Sequence, residues 1–417
     1  MDKLVARGGN ILSGHIPVSG AKNAVLPIMT AAILAPGKYT ISNVPNLRDT
    51  RTMSKLLEII GGAVEMDSGT MQIDTSGVKN PEAPYELVKT MRASFYVLGP
   101  LLARFGEARV SLPGGCAWGP RPVDLHLKGM EALGAQVDLE GGYIIARADE
   151  LVGTDFTLDI SSVGATGNIM MAAVLAKGVT TIENAAREPE IGALGHFLNA
   201  MGADVRGIGS DVLEIHGVDE LHSADYTVIP DRIEAGTYLV LGAMSGEDLE
   251  ISPVNPKHMK AVIDKVRRAG ADIRIEDNKL LVTRAAPIVA DDITTAIFPG
   301  YPTDMQAQWM AFMATAEGSS VITEEIYHDR FTHVAELNRL GANISLEGNV
   351  AVVKGVDSLK GAPVMSTDIR ASASLILAAL IAEGRSDIQR IYHIDRGYEQ
   401  IEKKLQGLGA DIVRENA

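Results

Sequence analysis

The residues with most chemical potential in this sequence sit in one irregular stretch, Pro113-Gly114-Gly115-Cys116-Ala117-Trp118-Gly119-Pro120-Arg121-Pro122. Three glycines and three prolines among ten residues make a long loop with no regular element, the kind of segment that serves as a lid or binding loop. Cys116 is the single cysteine of the chain. A lone cysteine is commonly a buried small hydrophobe. In a polar, glycine-rich loop with Arg121 five residues on, however, a nearby cation favours the thiolate, and Cys116 is read as a reactive thiol. Trp118 fits either a hydrophobic hinge or ordinary packing. One cysteine excludes an intrachain disulfide and any cysteine-based zinc site, and the nine histidines are scattered without metal-ligand spacing. No metal and no cofactor are expected.

A second set of candidates emerges from a repeat. Gly-Ala follows a short amphipathic stretch at Gly62, Gly134, Gly202, Gly270, Gly341 and Gly409. Independently, Gly37, Gly106, Gly178, Gly246, Gly318 and Gly384 each end an apolar stretch, and both sets recur at intervals of 66 to 72 residues. Two markers with one period across the chain indicate six copies of one unit. Each copy has an apolar helix (residues 24–35, 169–176), a β-rich run (residues 39–41, 179–182), an amphipathic helix (residues 52–60, 123–133, 401–408) and two short alternating strands (residues 203–208, 212–215). The Gly-Ala glycine supplies the positive φ at which a helix can turn directly into a strand. Fourteen residues before each second-set glycine lies the start of the apolar helix, at Asn23, Arg92, Gly164, Arg232, Asp304 and Arg370, with Lys22 and Asp231 adjacent. Helix starts carry unpaired N–H groups and partial positive charge, so they attract anions, whereas Arg and Lys oppose the dipole there. Capping and solvation explain any single position. The recurrence of Lys22, Arg92, Arg232 and Arg370 points to an anionic ligand. Two further segments echo each other, Tyr327-His328-Asp329-Arg330 and Tyr392-His393-Ile394-Asp395-Arg396. Their arginines either reach a common centre or pair locally with the neighbouring aspartate.

Composition restricts the function class. The 417 residues carry 38 Lys and Arg against 53 Asp and Glu, a net charge of −15, which argues against a nucleic-acid surface. With 46% hydrophobic and 22% charged residues the chain is ordinarily globular and long enough for two domains. Its first ten residues lack the apolar core of a signal peptide, and its most apolar segments, residues 24–35 and 374–382, are shorter than the roughly 18 residues a membrane span needs. A cytoplasmic protein without a membrane span is expected.

Several segments together carry a family resemblance: Ser19-Gly20-Ala21-Lys22-Asn23-Ala24, Lys89-Thr90-Met91-Arg92-Ala93-Ser94, the Pro-Gly-Gly-Cys loop through Arg121-Pro122, Ser162-Val163-Gly164-Ala165-Thr166, Pro302-Thr303-Asp304-Met305-Gln306-Ala307-Gln308, and Asp368-Ile369-Arg370-Ala371-Ser372-Ala373-Ser374. In this order, from the first residues past Arg396, the sequence resembles the enolpyruvyl transferases, specifically the bacterial branch that acts on UDP-N-acetylglucosamine. The resemblance implies two inside-out α/β barrel domains built from six repeated β-α-β-α-β-β units, three per domain, closing over a cleft. Residues 1–20 with 231–417 would form one domain and residues 21–230, with the Cys116 lid loop, the other. It also implies transfer of enolpyruvate from phosphoenolpyruvate to the sugar 3-hydroxyl by addition–elimination, with release of phosphate, as the first committed step of peptidoglycan precursor synthesis. By position, Asp304 would be the base. Cys116 would be the acid, the residue of a covalent phosphoenolpyruvate adduct and the target of the epoxide fosfomycin. Lys22, Asn23, Arg121, Arg370 and Arg396 would hold phosphoenolpyruvate. Asn23, Arg92, Arg121, Pro122, Val123, Asp124, Leu125, Ser162, Val163, Gly164, Asp304 and Ile326 would line the UDP-sugar site. Two residues depart from the family pattern: Ile160 stands where some members carry a lysine, and Trp118 replaces a smaller aliphatic residue.

Two other functions compete. The sister enzyme acting on shikimate 3-phosphate shares the reaction and fold but lacks a cysteine lid, so Cys116 argues against it. A non-catalytic six-module scaffold explains the repeat, but not charges at the helix starts beside a cysteine loop.

Overall fold

The computed structural model describes residues 2–112 and 123–416. Cys116, Trp118, Arg121 and Pro122 lie outside the described residues. The chain forms two compact units, a contiguous one, Gly20–Ile229, and a split one, Met1–Ser19 with Pro230–Ala417.

Among the described residues six largely apolar helices occupy the cores, because such sequences leave little surface suited to water. In the contiguous unit these are α1 (Lys22–Ala31), α2 (Leu98–Phe105) and α3 (Val163–Ala173). In the split unit they are α4 (Arg232–Ser245), α5 (Gln306–Met313) and α6 (Ile369–Ile381). Every residue of α4 after Arg232 is buried, and so is the whole of α5. In the split unit the three pack against one another, and in the contiguous unit α2 packs along α3. The second helix of each repeat is amphipathic: Lys260–Arg268 buries Val262, Ile263 and Val266, while Lys265, Arg267 and Arg268 in its last turn suit the C-terminal dipole.

Among the described residues the strands form six four-stranded sheets of one design, three in each unit. A short strand pairs in parallel with the strand that follows the core helix, and a hairpin completes the sheet antiparallel. For example, Asp155–Thr157 pairs with Val179–Glu183, which pairs with Val212–His216 and through it with Asp204–Arg206. Burial alternates along such strands, as in Val212–His216, where Leu213 and Ile215 are buried.

The repeat departs from the expected grammar in several places. The sixth repeat ends on one strand, not two: Asp411–Asn416 pairs with Asp2–Arg7, which lies between it and Arg385–Gln389. Likewise the short strand of the first repeat is Tyr226–Thr227, and that of the fourth is Leu12–Pro17. In the first repeat the positive φ falls on Gly61 (108°), one residue before the period marker Gly62. At Gly246 φ is −80°, so this glycine caps no left-handed turn; it is required because a Cβ would lie 2.7 Å from the Gly242 carbonyl oxygen. Finally, Arg92 begins the 3₁₀ turn Arg92–Val97 and Asp304 lies inside the 3₁₀ turn Thr303–Met305, and from these turns α2 and α5 continue.

Candidate active site

In the contiguous unit Lys22 is the first residue of α1, after the extended Ala21, and it is buried. Its ammonium opposes the helix dipole, and Asp49, buried in the first turn of the helix Arg48–Ile59, answers it with a carboxylate oxygen 3.4 Å away. Asn23, next along, is exposed. The turn carrying Arg92 packs against α1, and it is tied to the start of α3 by the Tyr96 hydroxyl, which donates to the Val163 carbonyl at 3.2 Å. Ser162 caps α3 by accepting from the Ala165 amide at 3.3 Å.

Beside Gly164 stands His126, two residues into the helix Asp124–Ala132 and buried. The Asn168 side chain fixes its tautomer. The amide oxygen accepts from the Gly99 N–H at 2.7 Å, so the amide nitrogen must be the group that donates to the Phe95 carbonyl at 2.9 Å and to His126 Nδ1 at 3.0 Å. His126 therefore keeps its proton on Nε2. Burial, assisted by the Arg92 guanidinium, pulls its pKa down to about 3, so the ring is neutral at physiological pH. A Cβ on Gly164 would come within 3.0 Å of Nε2, which explains glycine at this helix start. Val123 and Leu125 pack partly into the core, and Asp124 is an exposed acid in the first helical turn.

In the split unit the starts of α5 and α6 meet. Asp304 bonds Arg330 through Oδ1 at 2.8 Å and Arg370 through Oδ2 at 2.9 Å. Both guanidiniums are buried, and the carboxylate is 27% exposed. Burial alone would raise the Asp304 pKa, but Arg370 and Arg330 prevail and hold it well below the ordinary carboxylate range. Arg370 also donates to the Tyr398 hydroxyl at 3.4 Å, and that hydroxyl shares a hydrogen bond with Thr237 at 2.8 Å. Asp368 caps α6 by accepting from the Arg370 and Ala371 amides at 2.8 and 3.2 Å. Ile326 is half-buried in the loop after Ser319–Thr323. Arg396 is half-buried at the end of the 3₁₀ turn Ile391–Arg396, and its neighbour Asp395 pairs with Arg414 at 2.7 Å.

A profile of the family described as EPSP synthase (3-phosphoshikimate 1-carboxyvinyltransferase) matches residues 6–405. The chain is 56% identical over 415 residues to a UDP-N-acetylglucosamine 1-carboxyvinyltransferase of Trichlorobacter lovleyi, covering 99% of both. It is 55% identical over 420 residues to the protein of the same description from Myxococcus xanthus, covering 100% of both. The chain belongs to the enolpyruvyl transferase family. Its structure resembles that of the enolpyruvyl transferase NikO from Streptomyces tendae, at TM-score 0.90 and 27% identity over 100% of this chain and 99% of that one. An EPSP synthase from Acinetobacter baumannii shares the fold at TM-score 0.74 and 19% identity, covering 100% of both chains.

As a family member the chain is a transferase with a mixed α/β fold. Six of the residues expected in its site stand at core-helix starts: Lys22, Asn23, Arg92, Gly164, Asp304 and Arg370. Two of their cations are answered by carboxylates of the protein itself, Lys22 by Asp49 and Arg370 by Asp304. A cation at a helix start is therefore not by itself a sign of an anionic ligand. Arg330 reaches Asp304, outside its own segment, while Asp329 is exposed. The sequence signalled Arg330 only through the echo of the two Tyr-His segments. His126 and Asn168 gave no signal, because their roles depend on α2, α3 and the helix Asp124–Ala132 coming together. Ile160 is 70% exposed. Among the described residues no cluster of His, Cys, Asp and Glu could hold a metal, and no helix is long and apolar enough to cross a membrane.

Proposed function

We propose that this transferase moves the enolpyruvyl group of phosphoenolpyruvate to the 3-hydroxyl of UDP-N-acetylglucosamine and releases phosphate, opening the synthesis of peptidoglycan precursors in the cytoplasm. The observation that carries this reading is full-length identity above 50% to proteins of that one description from several bacteria. The shikimate-specific alternative rests on the description of the shared family profile and on structures of only 18–19% identity. In this proposal each unit is an inside-out α/β barrel of three repeats, with its buried helix starts turned to the substrates.

In the addition step the sugar hydroxyl attacks C2 of phosphoenolpyruvate. Its proton goes to Asp304, and the C3 methylene takes a proton from the Cys116 thiol. Elimination then returns a proton from the new methyl group to the Cys116 thiolate and expels phosphate, regenerating the carbon–carbon double bond. Lys22, Arg121, Arg370 and Arg396, with Asn23, bind the phosphate and carboxylate of phosphoenolpyruvate. Arg92, Pro122, Val123, Asp124, Leu125, Ser162, Val163, Gly164 and Ile326, with Asn23, Arg121 and Asp304, hold the UDP-sugar. Asp304 is ionised and so can accept a proton, yet two guanidiniums lower its basicity. Proton transfer then requires one of these bonds to weaken as the sugar hydroxyl docks. Fosfomycin would alkylate Cys116, and Cys116→Asp, which retains an acid, would keep some turnover and lose inactivation by the drug.

The test is phosphate release from phosphoenolpyruvate with each acceptor. Turnover is expected with UDP-N-acetylglucosamine and none with shikimate 3-phosphate. The reverse pattern overturns the assignment.

A further inference from the structure

Glu324 is fully buried at the end of the strand Ser319–Thr323, and the reaction as derived makes no use of it. Four donors converge on its carboxylate. Oε1 accepts from the Thr295 hydroxyl at 2.8 Å and from the Ile326 and Tyr327 amides at 2.9 Å each. Oε2 accepts from the Thr303 hydroxyl at 2.9 Å. None of the four is charged. A buried carboxylate without a cation among its bonding partners is costly unless its lone pairs are filled, and here they are.

The directions of these bonds are fixed by their neighbours. Thr303 Oγ1 accepts from Arg330 at 3.0 Å, so its own proton is free to go to Glu324. The same Arg330 nitrogen bonds Asp304. A continuous relay thus runs from Glu324 through Thr303 and Arg330 to Asp304. The other carboxylate oxygen, Oε1, holds the two amides that begin the loop of Ile326 and Tyr327. Thr295, which donates to Glu324, accepts in turn from the Glu325 amide at 2.9 Å, so the loop is held on both sides.

We propose that Glu324 is a positioning residue that sets two parts of the acceptor site at once. One arm aims the Asp304–Arg330 pair, and the other shapes the Ile326 loop against which the UDP-sugar lies. This inference rests on the proposed roles of Asp304 and Ile326. Glutamine at this position has nearly the same shape, but its amide nitrogen cannot accept. It therefore cannot satisfy both arms.

Steady-state kinetics with UDP-N-acetylglucosamine and phosphoenolpyruvate separate the arms. Because hydrogen bonds to charged groups are worth about one to two powers of ten, Glu324→Gln should lower kcat and raise the KM for UDP-N-acetylglucosamine, each by about tenfold or more. Thr303→Val cuts only the Asp304 arm, so kcat should fall about tenfold with KM within about twofold. Thr303→Ser restores the hydroxyl and should restore kcat. Thermal melts of each variant accompany the kinetics, and the Thr303 pair decides the matter if Glu324→Gln does not fold. A folded Glu324→Gln with wild-type kcat and KM, or equal kcat for Thr303→Val and Thr303→Ser, overturns the proposal. Asp304→Asn run in parallel separates the two readings. Loss of turnover there, with wild-type Glu324 and Thr303 variants, sinks this inference alone. Wild-type turnover by Asp304→Asn sinks the assignment of the base.

Discussion

Replacing Asp304 by Asn tests whether this residue is a chemical group or only a counter-charge. Asn keeps the shape of the side chain and removes its charge, leaving Arg330 and Arg370 facing a neutral amide. The two side chains are 8% and 5% exposed, so neither cation can turn to water without moving its helix or loop. Removing one member of a buried ion pair costs about 3–5 kcal/mol; the 27% exposure of Asp304 puts the expected loss near the lower end, about 3 kcal/mol. For a unit of this size that corresponds to a fall of about 6–12 °C in the melting temperature of the split unit. Adding Arg370→Gln removes the excess cation and should return most of that stability. It cannot return a proton acceptor. Circular-dichroism melts and phosphate-release rates on the single and double variants therefore diverge: stability recovers and turnover does not. An Asp304→Asn variant that melts and turns over like the wild type refutes the reasoning, as does a double variant that regains activity.

Acid should loosen the contiguous unit. The folded His126 holds its pKa near 3 while the unfolded chain takes the ordinary value of about 6.5, so stability is full above about pH 6.5 and is lost as the pH falls toward 3. At pH 5 the loss is about 2 kcal/mol, and His126→Asn should remove that pH dependence from urea denaturation of the isolated transition; an unchanged slope between pH 7 and 5 contradicts it. Gly164→Ala would set a Cβ 3.0 Å from an imidazole that Asn168 holds in place, so the KM for UDP-N-acetylglucosamine should rise about tenfold and stability should fall by about 1–3 kcal/mol. An unaltered KM takes the start of α3 out of the substrate site. Gly99→Ala would place a Cβ 2.3 Å from the Asn168 carbonyl oxygen, where backbone must give way, and should cost about 2–3 kcal/mol by thermal melt. Wild-type stability there would mean that α2 and α3 can separate more easily than their packing suggests.

Local signals in the sequence located the elements well, because each repeat obeys its own rules. The apolar helices are buried where their composition requires, and the amphipathic helix expected at residues 123–133 runs from Asp124 to Ala132. One offset to a glycine located the starts of five core helices to within two residues, but in the second repeat it marked the 3₁₀ turn Arg92–Val97, six residues before α2. What the period could not show was where a sheet borrows a strand: nothing in Asp2–Arg7 says that its neighbours are Arg385–Gln389 and Asp411–Asn416. The same limit applies to the site. Asp304 and Arg370 stood out as charges at equivalent positions, but their bond, and the arrival of Arg330 on the other oxygen, depend on packing between α5, α6 and the loop after Ser319–Thr323. Glu324 had no motif at all. Its meaning lies in four donors, two of them backbone amides, which a sequence does not display.

The borrowed strands also set an order of assembly. The contiguous unit has all its strands within one stretch of chain and can close while the ribosome is still working. Asp2–Arg7 is made before the contiguous unit, yet its partner Asp411–Asn416 is made roughly 400 residues later, a wait of about half a minute at usual rates of synthesis. Until Arg385–Gln389 is made, a strand with both edges unpaired is available to the wrong neighbour. Leu12–Pro17 waits less, since Gly246–Ser252 follows soon after the contiguous unit is complete. The nascent protein therefore passes through a stage in which one finished half carries, at its front end, the unpaired strands of a half not yet made. That stage is where a chaperone holding the first twenty residues would do most for the yield of active enzyme.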